Sequence, residues 1–292
     1  IKEKLISPYE LMTEAGKQVF RHICRNGICD VSEHVMIIAG TGNNGGDALV
    51  VGKHLLDKGL LPLIVIIGEE KRQTEESLLI YNELLQNNYI INRVSSYEDL
   101  DSFSVLIDQS SVIIDGIFGI GLNSEVVGYH KQVIELINGS YAQKISIDIP
   151  SGINADNGLV MGEAVIADHT VVIQNYKQGN LLNDALDYSG ELFLLDVGIL
   201  QTYFPENQLL LNKSYLKNKF PKRKKNSYKY NFGNVLTIGG SKGIMGAPLL
   251  TAMAALRSGS GLSTVTYNQK YINHIHNPYP VIMVDTFDGL EE

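Results

Sequence analysis

From Val35 onward the chain repeats one unit: a short apolar run, a glycine or aspartate turn, then an amphipathic segment. The runs predict strands over 35–39, 63–67, 112–115, 145–148, 170–173 and 192–196. Between the first two, Ala48, Val51 and Leu55 recur at helical spacing, and 77–85 and 131–137 predict two further helices. Strands that are apolar throughout and alternate with helices belong to a mostly parallel sheet covered on both faces. The expected fold class is α/β, a three-layer, doubly wound, Rossmann-like sheet. Ahead of it, Ser7-Pro8-Tyr9-Glu10 carries a capping box and a proline suited to the first helical position. Met12, Ala15, Val19 and Ile23 then give that helix one apolar face.

The pattern stops after Gly198. Residues 201–229 have little periodicity and hold the basic run Lys222-Arg223-Lys224-Lys225, which reads as a solvated connector. A second α/β unit starts at 230, with strands over 235–238 and 263–266, a glycine-rich loop over 239–246 and a helix over 247–256. Its length of about sixty residues is too short to close a doubly wound sheet. The expected division is a first domain over 1–200, a linker over 201–229 and a partial second domain over 230–292. Because the chain begins at Ile1 and not at Met, we expect it to be part of a longer protein.

A net charge of −8 argues against nucleic acid as a partner, since phosphate binding needs clustered Lys and Arg. No apolar run approaches the roughly 20 residues of a membrane span, so no membrane partner is expected either. Cys24 and Cys29 cannot make a four-thiolate zinc site, and a chain of this size needs no disulfide scaffold. Reduced cysteines in a cytoplasmic protein are the expectation. The pair His274 and His276 has no metal-site spacing around it. The oligomeric state stays open, a homo-oligomer included.

In a parallel α/β sheet, ligands bind beyond the carboxyl ends of the strands. Those ends carry Asn43-Asn44-Gly45-Gly46-Asp47, then Asp115-Gly116 leading to Gly119, Ile120, Gly121 and Leu122, then Asp148-Ile149-Pro150-Ser151-Gly152. Gly40, Gly42 and Gly45 also spell the dinucleotide fingerprint G-x-G-x-x-G. Gly45 and Gly46 would let the backbone approach a ligand and leave amide hydrogens free at the helix start. Asp47 stands where a carboxylate would repel a pyrophosphate; it either accepts hydrogen bonds from a ligand or caps the helix. Asn44, Asp115 and Ser151 offer only hard oxygens, which suit a hard cation and not zinc, and a single carboxylate among three fits a monovalent ion. Asp148 stands ahead of Pro150, whose restraint on the preceding backbone is expected to fix the carboxylate's pose. Two other readings remain: a hydride-transferring oxidoreductase, with Glu69 as ribose ligand, and a non-catalytic nucleotide-binding module.

The segments "NNGGDALVVGKHL", "DGIFGIGL", "SIDIPSGINADNG" and "AVIADHTVVI…YKQGNLL" together resemble the NAD(P)H-hydrate epimerases, over about residues 6–198. From Tyr230 the chain resembles the start of an ADP- or ATP-dependent NAD(P)H-hydrate dehydratase domain, a ribokinase-like fold, and the two domains occur fused in this order. The resemblance implies a metabolite-repair isomerase that interconverts the R and S hydrates, NADHX or NADPHX, at C6 of the nicotinamide ring. It implies substrate loops at Asn43, Asn44, Gly45, Gly46 and Asp47 and at Gly119, Ile120, Gly121, Leu122, Asn123, Ser124 and Glu125. Asp148 matches a substrate-contacting aspartate, and we expect it to act as general acid and base. Asn44, Asp115 and Ser151 match the family's potassium ligands. The family usually has Thr where Ile120 stands and often Arg where Ser124 stands, so affinity or NADHX-versus-NADPHX preference is expected to differ. Beyond Tyr230 the acids are Asp285, Asp288, Glu291 and Glu292, none in a nucleotide-phosphate loop. These residues alone are therefore expected to lack dehydratase (lyase) activity, and ADP or ATP would serve only that second domain.

Overall fold

The computed structural model describes residues 7–27, 34–199, 209–220 and 222–288. Cys29, Glu291, Glu292 and part of the expected linker lie outside the described residues. The chain folds as two compact units, Ile1–Pro205 and Glu206–Glu292.

The first unit opens with helix α1 (Pro8–Arg25), whose capping box forms as the sequence predicts: Ser7 N–H donates to Glu10 Oε2 at 2.9 Å, and Glu10 N–H donates to Ser7 Oγ at 3.2 Å. Strand β1 (Val35–Ala39), helix α2 (Asn43–Asp57), β2 (Leu63–Ile67), α3 (Glu75–Gln86), β3 (Ile91–Val94), α4 (Leu100–Asp108) and β4 (Val112–Gly116) follow. Then come α5 (Gly128–Gly139), β5 (Gln143–Ile147), β6 (His169–Ile173), the short α6 (Ala185–Tyr188) and β7 (Glu191–Leu195). The sheet is parallel throughout, in the order β3-β2-β1-β4-β5-β6-β7. Every residue of β1 and β4 is buried, which is why both read as unbroken apolar runs.

One core joins α1 and α2 to Ile37, Ala39, Ile64, Ile66, Ile114 and Ile147. A second joins α4 and α5 to Met36, Ile38, Val65, Ile67 and Ile113. The strand order reverses between β1 and β4, and this reversal opens the crevice where ligands of doubly wound sheets bind. Among the described residues no helix is long and apolar enough to cross a membrane.

The sequence misses β3 and α4, and its 145–148 strand ends one residue earlier, at Ile147, so that Asp148 already belongs to the loop. Asp47 is no cap. Gly42 is the N-cap of α2, and Asp47 sits in that helix's second turn.

In the second unit α7 (Lys213–Lys219) lies inside the expected linker, capped by Asn212, whose Oδ1 accepts from Tyr215 N–H at 2.9 Å. The strands β8 (Asn234–Ile238), β9 (Leu262–Asn268) and β10 (Met283–Phe287) form a parallel sheet in the order β10-β9-β8. Helix α8 (Gly246–Ser258) packs Leu249 and Ala252 onto Val265 and Tyr267, and the Tyr267 hydroxyl donates to the Met245 carbonyl at 2.9 Å.

Candidate functional site

The turn after β1 is pressed against the loop after β4. Gly40 N–H donates to Gly116 O at 3.0 Å, and a Cβ on Gly40 would lie 1.8 Å from the Ile117 carbonyl oxygen. Only glycine permits that approach. The two loops are then tied by side chains: Asn44 Nδ2 donates to Phe118 O at 2.8 Å, and Phe118 N–H donates to Ser151 Oγ at 2.8 Å. Ser151 brings in the loop after β5, so three strand ends meet at the backbone of Phe118.

Asp115 lies beneath this junction with no exposure. Its Oδ2 accepts from Ser146 Oγ at 2.7 Å and Ser151 N–H at 3.0 Å; its Oδ1 accepts from Ile117 N–H at 3.2 Å and lies 2.5 Å from Ser151 Oγ. The strand register explains the Ser146 contact, because Asp115 and Ser146 are partners across β4 and β5. Burial raises the Asp115 carboxyl above its ordinary range, and the four hydrogen bonds oppose that rise.

Two oxygens here compete for one hydroxyl hydrogen. Ser151 Oγ lies 2.5 Å from Asp115 Oδ1 and 3.2 Å from Phe118 O, and its single hydrogen can satisfy only one of them. Asn44, Asp115, Phe118 and Ser151 thus form an oxygen-rich donor set around a buried negative charge, which fits a hard monovalent cation.

A cavity of about 800 Å³ opens beside the junction, within the range of small-molecule sites. Helix α1 contributes the apolar wall of Pro8, Leu11, Met12 and Ala15. Thr41 to Asn44 and Asp47 line it after β1, Gly119 to Ser124 after β4, Asp148 after β5, and Ile173, Gln174, Asn175 and Lys177 from the end of β6 onward. Thr74, Glu76 and His130 also belong to the lining.

Asp148 takes φ of +68°, a left-handed conformation that costs a non-glycine residue about 1–2 kcal/mol. The loop over-determines it. Asp148 N–H donates to Val171 O at 2.8 Å, and Asn180 Nδ2 donates to Asp148 O at 3.1 Å. The side-chain Oδ1 accepts from Ile173 N–H at 2.9 Å and from the Lys177 ammonium. Pro150 does not set this pose: the residue directly before it is Ile149, and the left-handed turn falls one residue earlier. The Asp47 carboxyl has no hydrogen-bond or ion-pair partner among the described residues. It is partly open to the cavity yet surrounded by protein. Its carboxyl is pushed well above the usual range, first by burial and then by the charge of Asp148, against the opposing pull of Lys177.

Most of the expected site residues therefore converge, with exceptions. Gly45 and Gly46 lie behind the cavity wall; a Cβ on Gly45 would meet Gly40 O at 2.0 Å, and one on Gly46 the Met12 sulfur at 2.4 Å. Both are small because of packing inside the protein. Glu125 lies outside the lining, and Asp115 and Ser151 support it from below. Ile120 and Ser124 are exposed at the rim. Glu69 pairs with Lys71 at the surface and does not reach the cavity. Sequence reasoning missed Lys177, Gln174 and α1. Lys177 was accessible to the rule that found Asp148, since it follows the carboxyl end of β6.

Residues 8–179 match the family model described as "YjeF-related protein N-terminus", and residues 235–292 match that of "NAD(P)H-hydrate dehydratase". The NAD(P)H-hydrate epimerase of Lentilactobacillus buchneri is 36% identical over 198 residues, which cover 68% of this chain and 87% of that protein. The bifunctional NAD(P)H-hydrate repair enzyme Nnr of Coxiella burnetii is 32% identical over 285 residues, covering 96% of this chain and 56% of that protein. The corresponding enzyme of Moorella thermoacetica is 31% identical, with 90% and 50% covered. The chain spans about half the length of these bifunctional relatives. Among solved structures, yeast ynu0 matches with a TM-score of 0.52 and 25% identity, over 62% of this chain and 76% of that one.

Proposed function

The chain belongs to the YjeF-related N-terminus family, and on that footing we propose that its first unit is an NAD(P)H-hydrate epimerase, an isomerase of metabolite repair. The observation that carries the reading is the meeting of Asp47, Asp148 and Lys177 in one cavity at the strand-order reversal. A dinucleotide hydrate is the substrate, and the loop at Asn43 to Asp47 meets it as a substrate loop and not as a hydride-transfer site.

The chemistry follows from the hydrate itself. Its C6 hydroxyl belongs to a hemiaminal, so protonation at oxygen lets it leave as water while the ring nitrogen's lone pair forms an iminium bond. Water added to the opposite face, with loss of a proton, gives the other epimer. A carboxylate at the reacting carbon serves both proton transfers, and proton transfer of this kind contributes about 10²–10⁴-fold. Asp148 is assigned that role. The Asn43 and Asn44 amides and the Gly119–Ser124 loop hold the substrate, and the apolar wall of α1 limits water around the ring.

Potassium is the cation we assign to Asn44, Asp115, Ser151 and the Phe118 carbonyl. When bound, it supplies positive charge to the buried Asp115 carboxylate and holds the three loops in register. Ile120 and Ser124 at the rim bear on the choice between NADHX and NADPHX.

Absorbance separates this reading from the alternatives. The hydrate's epimer ratio should change with no oxidation at the reduced-nicotinamide band when alcohols or carbonyl compounds are supplied. Hydride transfer would identify an oxidoreductase, and binding of NADPHX without interconversion would identify a binding module. The reading is confined to the first unit; dehydration, with ADP or ATP as cosubstrate, belongs to the reaction that the 235–292 family describes.

A further inference from the structure

Among the described residues, the cavity lining carries the carboxyl groups of Asp47, Glu76 and Asp148 and one ammonium, that of Lys177, which bonds Asp148. Lys177 Nζ bonds Asp148 Oδ1 and also donates to Ile173 O at 2.9 Å. Its backbone N–H donates to Asn180 Oδ1 at 2.8 Å, and the same Asn180, fully buried, grips the Asp148 carbonyl. Lys177 is therefore built into the loop that sets the Asp148 backbone. Both bonds to the Asp148 carboxylate, from Lys177 and from Ile173 N–H, fall on Oδ1. Oδ2 accepts no hydrogen bond among the described residues and is left to the cavity.

Asp47 lines the same cavity from α2, and its carboxyl has no hydrogen-bond or ion-pair partner among the described residues. The charges that act on it are Asp148 and Lys177. Helix α1 presents only apolar side chains to the cavity, and Glu76 and His130 are the other titratable groups of its lining. Two neighbouring carboxyls of unequal surroundings divide acid and base roles.

From this geometry we infer that Lys177 is the positioning residue of an acid–base pair, holding Asp148 as the ionised base so that Asp47 carries the shared proton as the acid. The inference rests on the epimerase reading and divides between Asp47 and Asp148 the two proton transfers assigned above to Asp148 alone. Asp47 gives its proton to the C6 oxygen; the C6–O bond breaks with its electron pair on the departing water, and the iminium forms. Water then bonds to C6 from the other face, and Asp148 Oδ2 takes its proton. Exchange with solvent water returns the pair to its starting state. The raised carboxyl of Asp47 agrees with its place as the proton's resting position.

The test compares Lys177→Met, Lys177→Gln and Lys177→Arg in the full chain. Removing a neighbouring cation makes carboxylates harder to ionise, so in the first two variants both limbs of the kcat/KM pH profile should move to higher pH. The value of kcat should fall about 100-fold with KM within about threefold, whereas Lys177→Arg should keep the wild-type limbs. Lys177→Gln retains a hydrogen-bond donor, so it carries the comparison if Lys177→Met does not fold. Loss of kcat with unmoved limbs, or full activity in Lys177→Met, would overturn the inference. Carbon-13 NMR titration of the aspartate carboxyls in the unliganded protein reads the same pair without substrate. Asp47 should hold its proton above the ordinary carboxylate range, and an Asp47 that ionises within or below that range would also overturn it. A wild-type protein that interconverts no hydrate sinks the functional reading separately.

Discussion

The Ser151 hydroxyl lies 2.5 Å from Asp115 Oδ1, and it also accepts the Phe118 N–H at 2.8 Å. One hydroxyl thus joins the loops after β4 and β5, and Asn44 adds the loop after β1 through the Phe118 carbonyl. Replacing Ser151 by Ala leaves the Phe118 N–H without its acceptor and removes one bond from a buried carboxylate. Such losses cost roughly 1–3 kcal/mol. Urea unfolding of Ser151→Ala should show a lower midpoint with an unchanged slope, together with a weaker response of activity to potassium.

Asp47 makes a pH prediction of definite sign. Its folded carboxyl titrates well above the unfolded value of about 3.9, so the native state holds the proton longer than the unfolded chain does. Stability is therefore lost as pH rises from the unfolded value through the folded one. Asp47→Asn removes that loss. Melting curves of the two proteins should coincide well below pH 4 and separate as pH rises, the variant melting higher. Epimerisation should fall in the same variant, a stability gain made at a functional position.

Asp148 combines charge with a left-handed backbone. Asn tolerates that conformation, so Asp148→Asn should fold, bind the hydrate within a few-fold of wild type, and lose about 10²–10⁴-fold in turnover. Asp148→Ala should lose turnover too, with an added stability loss of about 1 kcal/mol from the unfavourable φ. Calorimetry on both variants separates the backbone cost from the chemical one.

Gly40 is the tightest approach between the first two loops. Gly40→Ala puts a methyl 1.8 Å from the Ile117 oxygen, where no flexible side chain can yield. The expected result is a loss of more than about 3 kcal/mol or failure to fold, read as the soluble yield and the urea midpoint.

The sheet was legible because its central strands are buried on both faces and so spell themselves as apolar runs. Strand β3 escaped because its sequence, Ile91-Asn92-Arg93-Val94, belongs to a half-exposed edge with Arg93 reaching to Gly68 O and Gln73. Helix α4 starts from a turn that Asp99 closes on the Ser95 and Ser96 backbones, a signal carried by side-chain hydrogen bonds and not by periodicity. The polar half of the site was readable from the strand-end rule. What the sequence hid was the reason for each residue. Gly45 and Gly46 make room for Gly40 and Met12, not for a ligand. The pose of Asp148 comes from Asn180, Val171 and Lys177, residues 23 to 32 positions away in sequence, and no local pattern announces them.

The central claim is that this cavity interconverts the two hydrates of a reduced nicotinamide dinucleotide. Purified protein mixed with S-enriched NADPHX, followed by chromatography with and without potassium, tests it directly. The account predicts that R-NADPHX accumulates to the equilibrium ratio, faster than in a protein-free control and faster still with potassium. An epimer ratio that changes no faster than in the control, under either condition, would contradict it.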